Sequence, residues 1–167
     1  MLEKLFRRQT PKTELPKGAQ PTAPDVPYDP SLVAALTQQH RDMVTHLVKA
    51  NSAAQQGMYD EVKECLAQFK DALAEHLRDE NAKLHPYLAT RIKGENSRET
   101  LRDARQSCKR VEQSVEGFIT HYSGYPVSDH NVERFGMELE GVSEEFCEEI
   151  EREEAVVYTL YLPPDAY

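Results

Sequence analysis

After Pro30 the apolar residues fall into four long runs at helical spacing, and nowhere does the chain alternate cleanly enough to argue for a sheet. The first run carries Leu32, Leu36, His40, Met43, Val44 and Leu47 on one face, with Ser31 as cap or first-turn residue, and ends around Gln55 to Gly57. The second runs from about Tyr59 to Lys93 and stops at Gly94, with Pro86 expected to kink it by removing an internal hydrogen bond. The third begins near Ser97 and carries Leu101, Cys108, Val111, Val115, Phe118, Ile119 and Tyr122. After the turn-rich stretch Ser123–Ser128, the fourth extends from near Asp129 to about Leu162, with Phe135, Leu139, Val142, Phe146, Glu149/Ile150, Glu153, Val157 and Leu160 inward. Helices of this length joined by short loops predict an all-α, antiparallel up-down-up-down four-helix bundle. Only 7 glycines and an abundance of Lys, Glu, Gln and Ala agree with it.

Residues 1–30 obey different rules. Six of the ten prolines, Pro11, Pro16, Pro21, Pro24, Pro27 and Pro30, fall here, which blocks helix and favours an extended Pro-rich arm. Leu2, Leu5 and Phe6 share one side of a short amphipathic stretch that could dock on the bundle or a partner. The expected organisation is an arm over 1–30, the bundle over 31–162 and a tail over 163–167.

Two polar residues interrupt the inward stripe of the second helix. Phe69, Leu73, Leu77 and Leu84 define that stripe, and His76 and Glu80, one turn apart, lie within it. A charged group facing a core is costly unless it is paired, hydrogen-bonded or metal-bound. His40 lies about 15 residues before the first hairpin and His76 about 17 after it, so both sit on the order of 22–26 Å from the turn. Two imidazoles at one depth with a carboxylate a turn away suit a first-row transition metal. His46 is expected to face solvent, and His85 to act in packing or capping at Pro86.

A weak internal repeat supports the bundle. Setting Glu75–Ala82 against Glu148–Ala155 places Glu80 opposite Glu153 and His76 opposite Glu149, and matches Leu84-His85-Pro86-Tyr87-Leu88 with Val157-Tyr158-Thr159-Leu160-Tyr161. Of the acidic residues between Glu144 and Glu154, only Glu149 and Glu153 turn inward.

A His on helix one, then His-x3-Glu on helix two leading into Leu-x-Pro-x-Leu, resembles the hemerythrin-like HHE cation-binding domain over roughly residues 30–162. That resemblance implies a non-haem iron centre in the bundle core, di-iron or mononuclear, serving sensing, storage or regulation, with O2 or NO as possible ligands. Carried over, His40 and His76 are the nitrogen ligands and Glu80 and Glu153 the carboxylates. Glu149 stands where the family has a helix-four His. Helix three offers no His at the matching depth, leaving Glu112 as its candidate. A site of two His and several carboxylates would approach a ferritin-like one.

The segments Phe69-x3-Leu73, Ala74-Glu-His-Leu77 and Asp129-His130, with the acidic last helix, are also similar to the regulator-of-sigma-D type of anti-sigma protein. The alternative is therefore a metal-free four-helix regulator that binds a protein partner through its acidic surface or its arm, since a net charge of −9 speeds encounter with basic partners. That charge, and basic residues that form no stripe with aromatics, argue against nucleic acid and anionic membrane. No phosphate-binding glycine loop occurs, and nothing points to Ser-His-Asp or Cys-His catalysis, so an enzyme is not expected. Cys65, Cys108 and Cys147 are odd in number without a CxxC, and read as reduced, buried helix thiols. With no signal-like segment, a reducing cytoplasm is the expected compartment.

Overall fold

The computed structural model describes residues 26–167 and is a four-helix bundle with no strand among the described residues. Its rods are α1 (Leu32–Gln55), α2 (Tyr59–Asp79) continued by a short α3 (His85–Arg91), α4 (Glu95–Gly124), and α5 (Val132–Arg152). Neighbouring pairs α1/α2, α2/α4, α4/α5 and α5/α1 close the antiparallel ring.

The ends of the rods depart in detail from the expectations. Helix α1 is capped by Asp29, whose Oδ1 accepts both the Ser31 N–H (2.9 Å) and the Ser31 hydroxyl (2.6 Å), because Ser31 itself already has helical dihedrals. Its far end is a glycine turn in which Met58 N–H reaches Ala53 O and Gly57 N–H reaches Ala54 O, with Gly57 at φ 71°. No side chain crowds a Cβ there, so Gly57→Ala should cost only the left-handed backbone strain, ~1 kcal/mol, read by denaturant titration. Helix α4 starts two residues before Ser97, at Glu95, and α5 starts three after Asp129.

The larger correction concerns Pro86. The helix is not kinked there. It is interrupted six residues earlier, where Glu80–Leu84 form a π-turn in which His85 N–H reaches back five residues to Glu80 O, and Pro86 then starts α3, where it needs no donor. The fourth rod ends its α-helical run in the same way, with a π-turn over Glu153–Val157 closed by Tyr158 N–H to Glu153 O and followed by a 3₁₀ turn over Tyr158–Leu160. No proline stands at that point. The two π-turns begin at the two carboxylates that the sequence repeat places opposite each other, so the duplication is structural.

Residues 26–30 lie along the bundle rather than away from it: Tyr28 stacks on Tyr161 at 5.1 Å and Asp29 N–H donates to the Tyr161 hydroxyl. The Leu2-Leu5-Phe6 stretch and most of the proline arm lie outside the described residues.

The core has two parts. One, around Met43, Phe69, Phe118, Phe135 and Phe146, fills the end nearest the α1–α2 turn. The other, around Leu36, Leu84, Tyr87, Leu101 and Tyr161, fills the opposite end. Between them lies a polar layer holding all the buried polar or charged side chains among the described residues: His40, His76, Glu80, Ser107, Glu149 and Glu153.

Candidate metal centre

Each helix supplies this layer from its inward stripe. His40 Nε2 and His76 Nε2 stand 3.2 Å apart. Glu153 Oε2 is 3.4 Å from His40 Nε2, and Glu80 Oε1 is 3.7 Å from His76 Nε2. The Tyr158 hydroxyl lies 3.3 Å from both His40 Nε2 and Glu80 Oε1. A cavity of about 20 Å³, room for one water-sized particle, lies among His40, His76, Cys108, Glu112, Glu149 and Glu153.

The outer nitrogens fix the state of the inner ones. His40 Nδ1 is 2.9 Å from a carboxylate oxygen of Glu154, an acceptor only, so Nδ1 carries the proton. Gln39 donates its amide N–H to Asp79 (3.0 Å), which turns its Oε1 toward His76 Nδ1 (3.0 Å) and makes that nitrogen a donor as well. The two Nε2 atoms therefore face each other across the layer, each ring held from its outer nitrogen. Burial, with His40 alongside, drives the His76 pKa down to about 3, so the ring stays neutral. Burial and the neighbouring Glu153 push Glu80 up to about 8. Burial chiefly, with Glu80 next in importance, raises the Tyr158 phenol.

Neutral imidazoles oriented by hydrogen bonds from their outer nitrogens are how metal-binding histidines are held. The donor separations of 3.2–3.7 Å are those of ligands sharing one ion at about 2.1 Å. His40, His76 and Glu153 form one convergent donor group, and Glu80, Cys108 and Glu153 a second. The residues fit a cation.

Comparison with protein families matches residues 31–161 to the hemerythrin HHE cation-binding domain. The chain belongs to this hemerythrin family. Comparisons with curated proteins and with solved structures gave no match. No helix among the described residues is long and apolar enough to cross a membrane.

The second half of the chain does not repeat the donor set of the first. Glu149 is buried, as its stripe requires, but its Oε2 accepts from the Ser107 hydroxyl (2.6 Å) and from Arg152 (2.6 Å), and Arg152 also donates to Ser107. Its Oε2 is committed to those partners, its Oε1 is buried without one, and Glu149 stands in neither convergent group. Glu112 is half-buried at the edge of the cavity and belongs to neither group. On α4 the side chain that converges with the layer's carboxylates Glu80 and Glu153 is Cys108. Gln39 serves His76 and Asp79 as Ser107 serves Glu149 and Arg152, and the repeat equates His76 with Glu149 and Asp79 with Arg152. Gln39 thus matches Ser107, and His40 matches Cys108. The repeat thus extends from α2 and α5 to α1 and α4.

His85 and Tyr158, matched by the repeat, both approach Glu80, with His85 Nε2 3.8 Å from Glu80 Oε2. Burial and Arg105 lower His85 to about 4, so it is a neutral neighbour of the site and more than a packing residue. His46 is half-buried with Nδ1 shielded, contrary to the solvent-facing expectation, while His121 and His130 are exposed and far from the layer's residues in sequence.

Proposed function

We propose that this hemerythrin-family chain is a non-haem metal-binding protein, with iron the expected metal and a sensing, storage or regulatory role. His40 and His76 would be the nitrogen ligands and Glu80 and Glu153 the carboxylate ligands, with Glu149 and Glu112 outside the first set. The observation that carries this reading is the convergence of His40 Nε2, His76 Nε2 and the Glu153 carboxylate in the buried layer, each ring held in place by a hydrogen bond from its other nitrogen. Such a nitrogen-and-carboxylate donor set suits a divalent first-row ion.

Iron with such donors supplies reversible binding of, or electron exchange with, small ligands such as O2 or NO. The protein's own contribution is orientation and a dry surround. Glu154 and Gln39 fix the imidazoles, the Tyr158 hydroxyl is placed to donate to Glu80, and aromatic and aliphatic layers close both ends. A protein partner would be the outlet for regulation, and the exposed Glu144, Glu145, Glu148 and Glu151 of α5 favour a basic one. The metal-free regulator considered above has no physical reason to bury six polar side chains in one layer.

Elemental analysis with an optical spectrum of aerobically purified full-length protein tests the proposal. Bound iron and near-ultraviolet to visible absorption are expected. A colourless, metal-free, folded chain that also fails to bind added Fe(II) would instead favour the partner-binding reading.

A further inference from the structure

The second donor group contains sulfur. Glu80, Cys108 and Glu153 offer a carboxylate oxygen, a thiol sulfur and a second carboxylate oxygen that all lie within 4.8 Å of one another. A cysteine among helices would by itself mean little. Here it comes with an independent sign of a missing partner: Glu80 is 1% exposed, and its Oε2 is shielded from solvent without any hydrogen-bond partner. A buried carboxylate oxygen normally finds a donor. The nearest candidate on its own side, His85 Nε2, stops at 3.8 Å. A cavity of about 330 Å³ lined by Leu77, Glu80, Asn81, His85, Arg105 and Cys108 opens on this side, so the position has its own access.

The symmetry of the bundle gives the same assignment. His40 brings a donor from the first helix to one end of the layer, and Cys108 brings one from the third helix to the other. Glu80 and Glu153, each at the head of a π-turn, lie between them. The repeat has therefore kept both carboxylates and exchanged His40 for a thiol and His76 for Glu149.

We propose that Cys108 is the helix-three ligand of a second metal position formed with Glu80 and Glu153, so that the two positions differ, one nitrogen-rich and one carrying a thiolate. Binding there would release the thiol proton to solvent as the metal–sulfur bond forms, and the thiolate would favour borderline-to-soft divalent ions such as Fe(II), Co(II) or Zn(II). The inference rests on the metal-binding reading above, and its test separates the two.

The test is titration of metal-stripped, full-length protein with Co(II) under reducing, anaerobic conditions. Two equivalents should bind, with a near-ultraviolet sulfur-to-cobalt charge-transfer band. Cys108→Ala should lose the band and fall from two equivalents to one, while Cys147→Ala keeps both. Cys108→Ser serves the same purpose should the alanine variant not fold. Alkylation with N-ethylmaleimide, mapped by peptide mass spectrometry, should spare Cys108 only in the cobalt-loaded protein. Binding of Co(II) without a sulfur band, or a band that survives in both Cys108 variants, would overturn the thiolate assignment and leave the nitrogen-rich site standing. No Co(II) uptake at all would overturn both.

Discussion

The double substitution His76→Ala with Glu80→Ala should reduce metal affinity by on the order of 10⁴-fold, enough to leave the purified protein without metal. Residues that merely orient a ligand are worth 10–100-fold each, and a ligand should be worth at least the upper end of that range. Both substituted side chains sit in the polar layer, His76 at 3% and Glu80 at 1% exposure, and alanine supplies no donor atom in their place. The fold should survive, because the two apolar clusters on either side are untouched and a buried carboxyl without a complete set of partners is itself costly. Metal content by elemental analysis, with circular dichroism to confirm helix, checks the result. Gln39→Ala should give the smaller, 10–100-fold loss, since it removes only the acceptor that holds His76 in its tautomer. A double variant that keeps its metal would put the ion elsewhere.

The bundle was legible because helical spacing survives in all four runs, and the polar layer because His76 and Glu80 break an otherwise apolar stripe. Those signals are local. The π-turns were not legible: nothing in Glu80–Leu84 or Glu153–Val157 disfavours α-helix more than neighbouring residues do, and Pro86 drew attention to the wrong point. Cys108 was hidden for a different reason. It lies one turn from Glu112 on α4, and a motif of histidines and carboxylates does not single out a thiol. The contacts that match Ser107 with Gln39, and so Cys108 with His40, join Ser107 to Glu149 and Arg152, 42 and 45 residues away in the chain, and form only in the folded layer. Likewise, no spacing in the sequence could reveal that Glu154 fixes the tautomer of His40 from 114 residues away.

Metal-free protein should be most stable near pH 6.5 and lose on the order of 2 kcal/mol by pH 8. Three buried groups decide the curve. His76 and His85 are neutral in the fold down to about 3 and about 4, against an ordinary 6.5, so between pH 4.5 and 6.5 the unfolded chain holds two more protons than the folded one at these positions. Glu80 is protonated in the fold up to about 8, against an ordinary 4.5, so over the same range the folded chain holds one more. The balance is one extra proton on the unfolded side, and stability rises with pH by roughly 1.4 kcal/mol per unit. Above pH 6.5 the histidines no longer titrate in either state. Glu80 alone remains, the folded chain now holds the extra proton, and the slope reverses at roughly the same size until pH 8. For a domain of this size the falling limb corresponds to about 4–8 °C in Tm. A bound cation displaces the Glu80 proton, so metal-loaded protein should lack the falling limb, and its apparent affinity should climb through the same interval as that proton becomes easier to remove. Thermal denaturation at several pH values, with chelator and with Fe(II) or Co(II), measures both curves. Stability that stays level from pH 6.5 to 8 in the chelated protein would mean that Glu80 is already ionised without a metal, leaving nothing for the ion to displace.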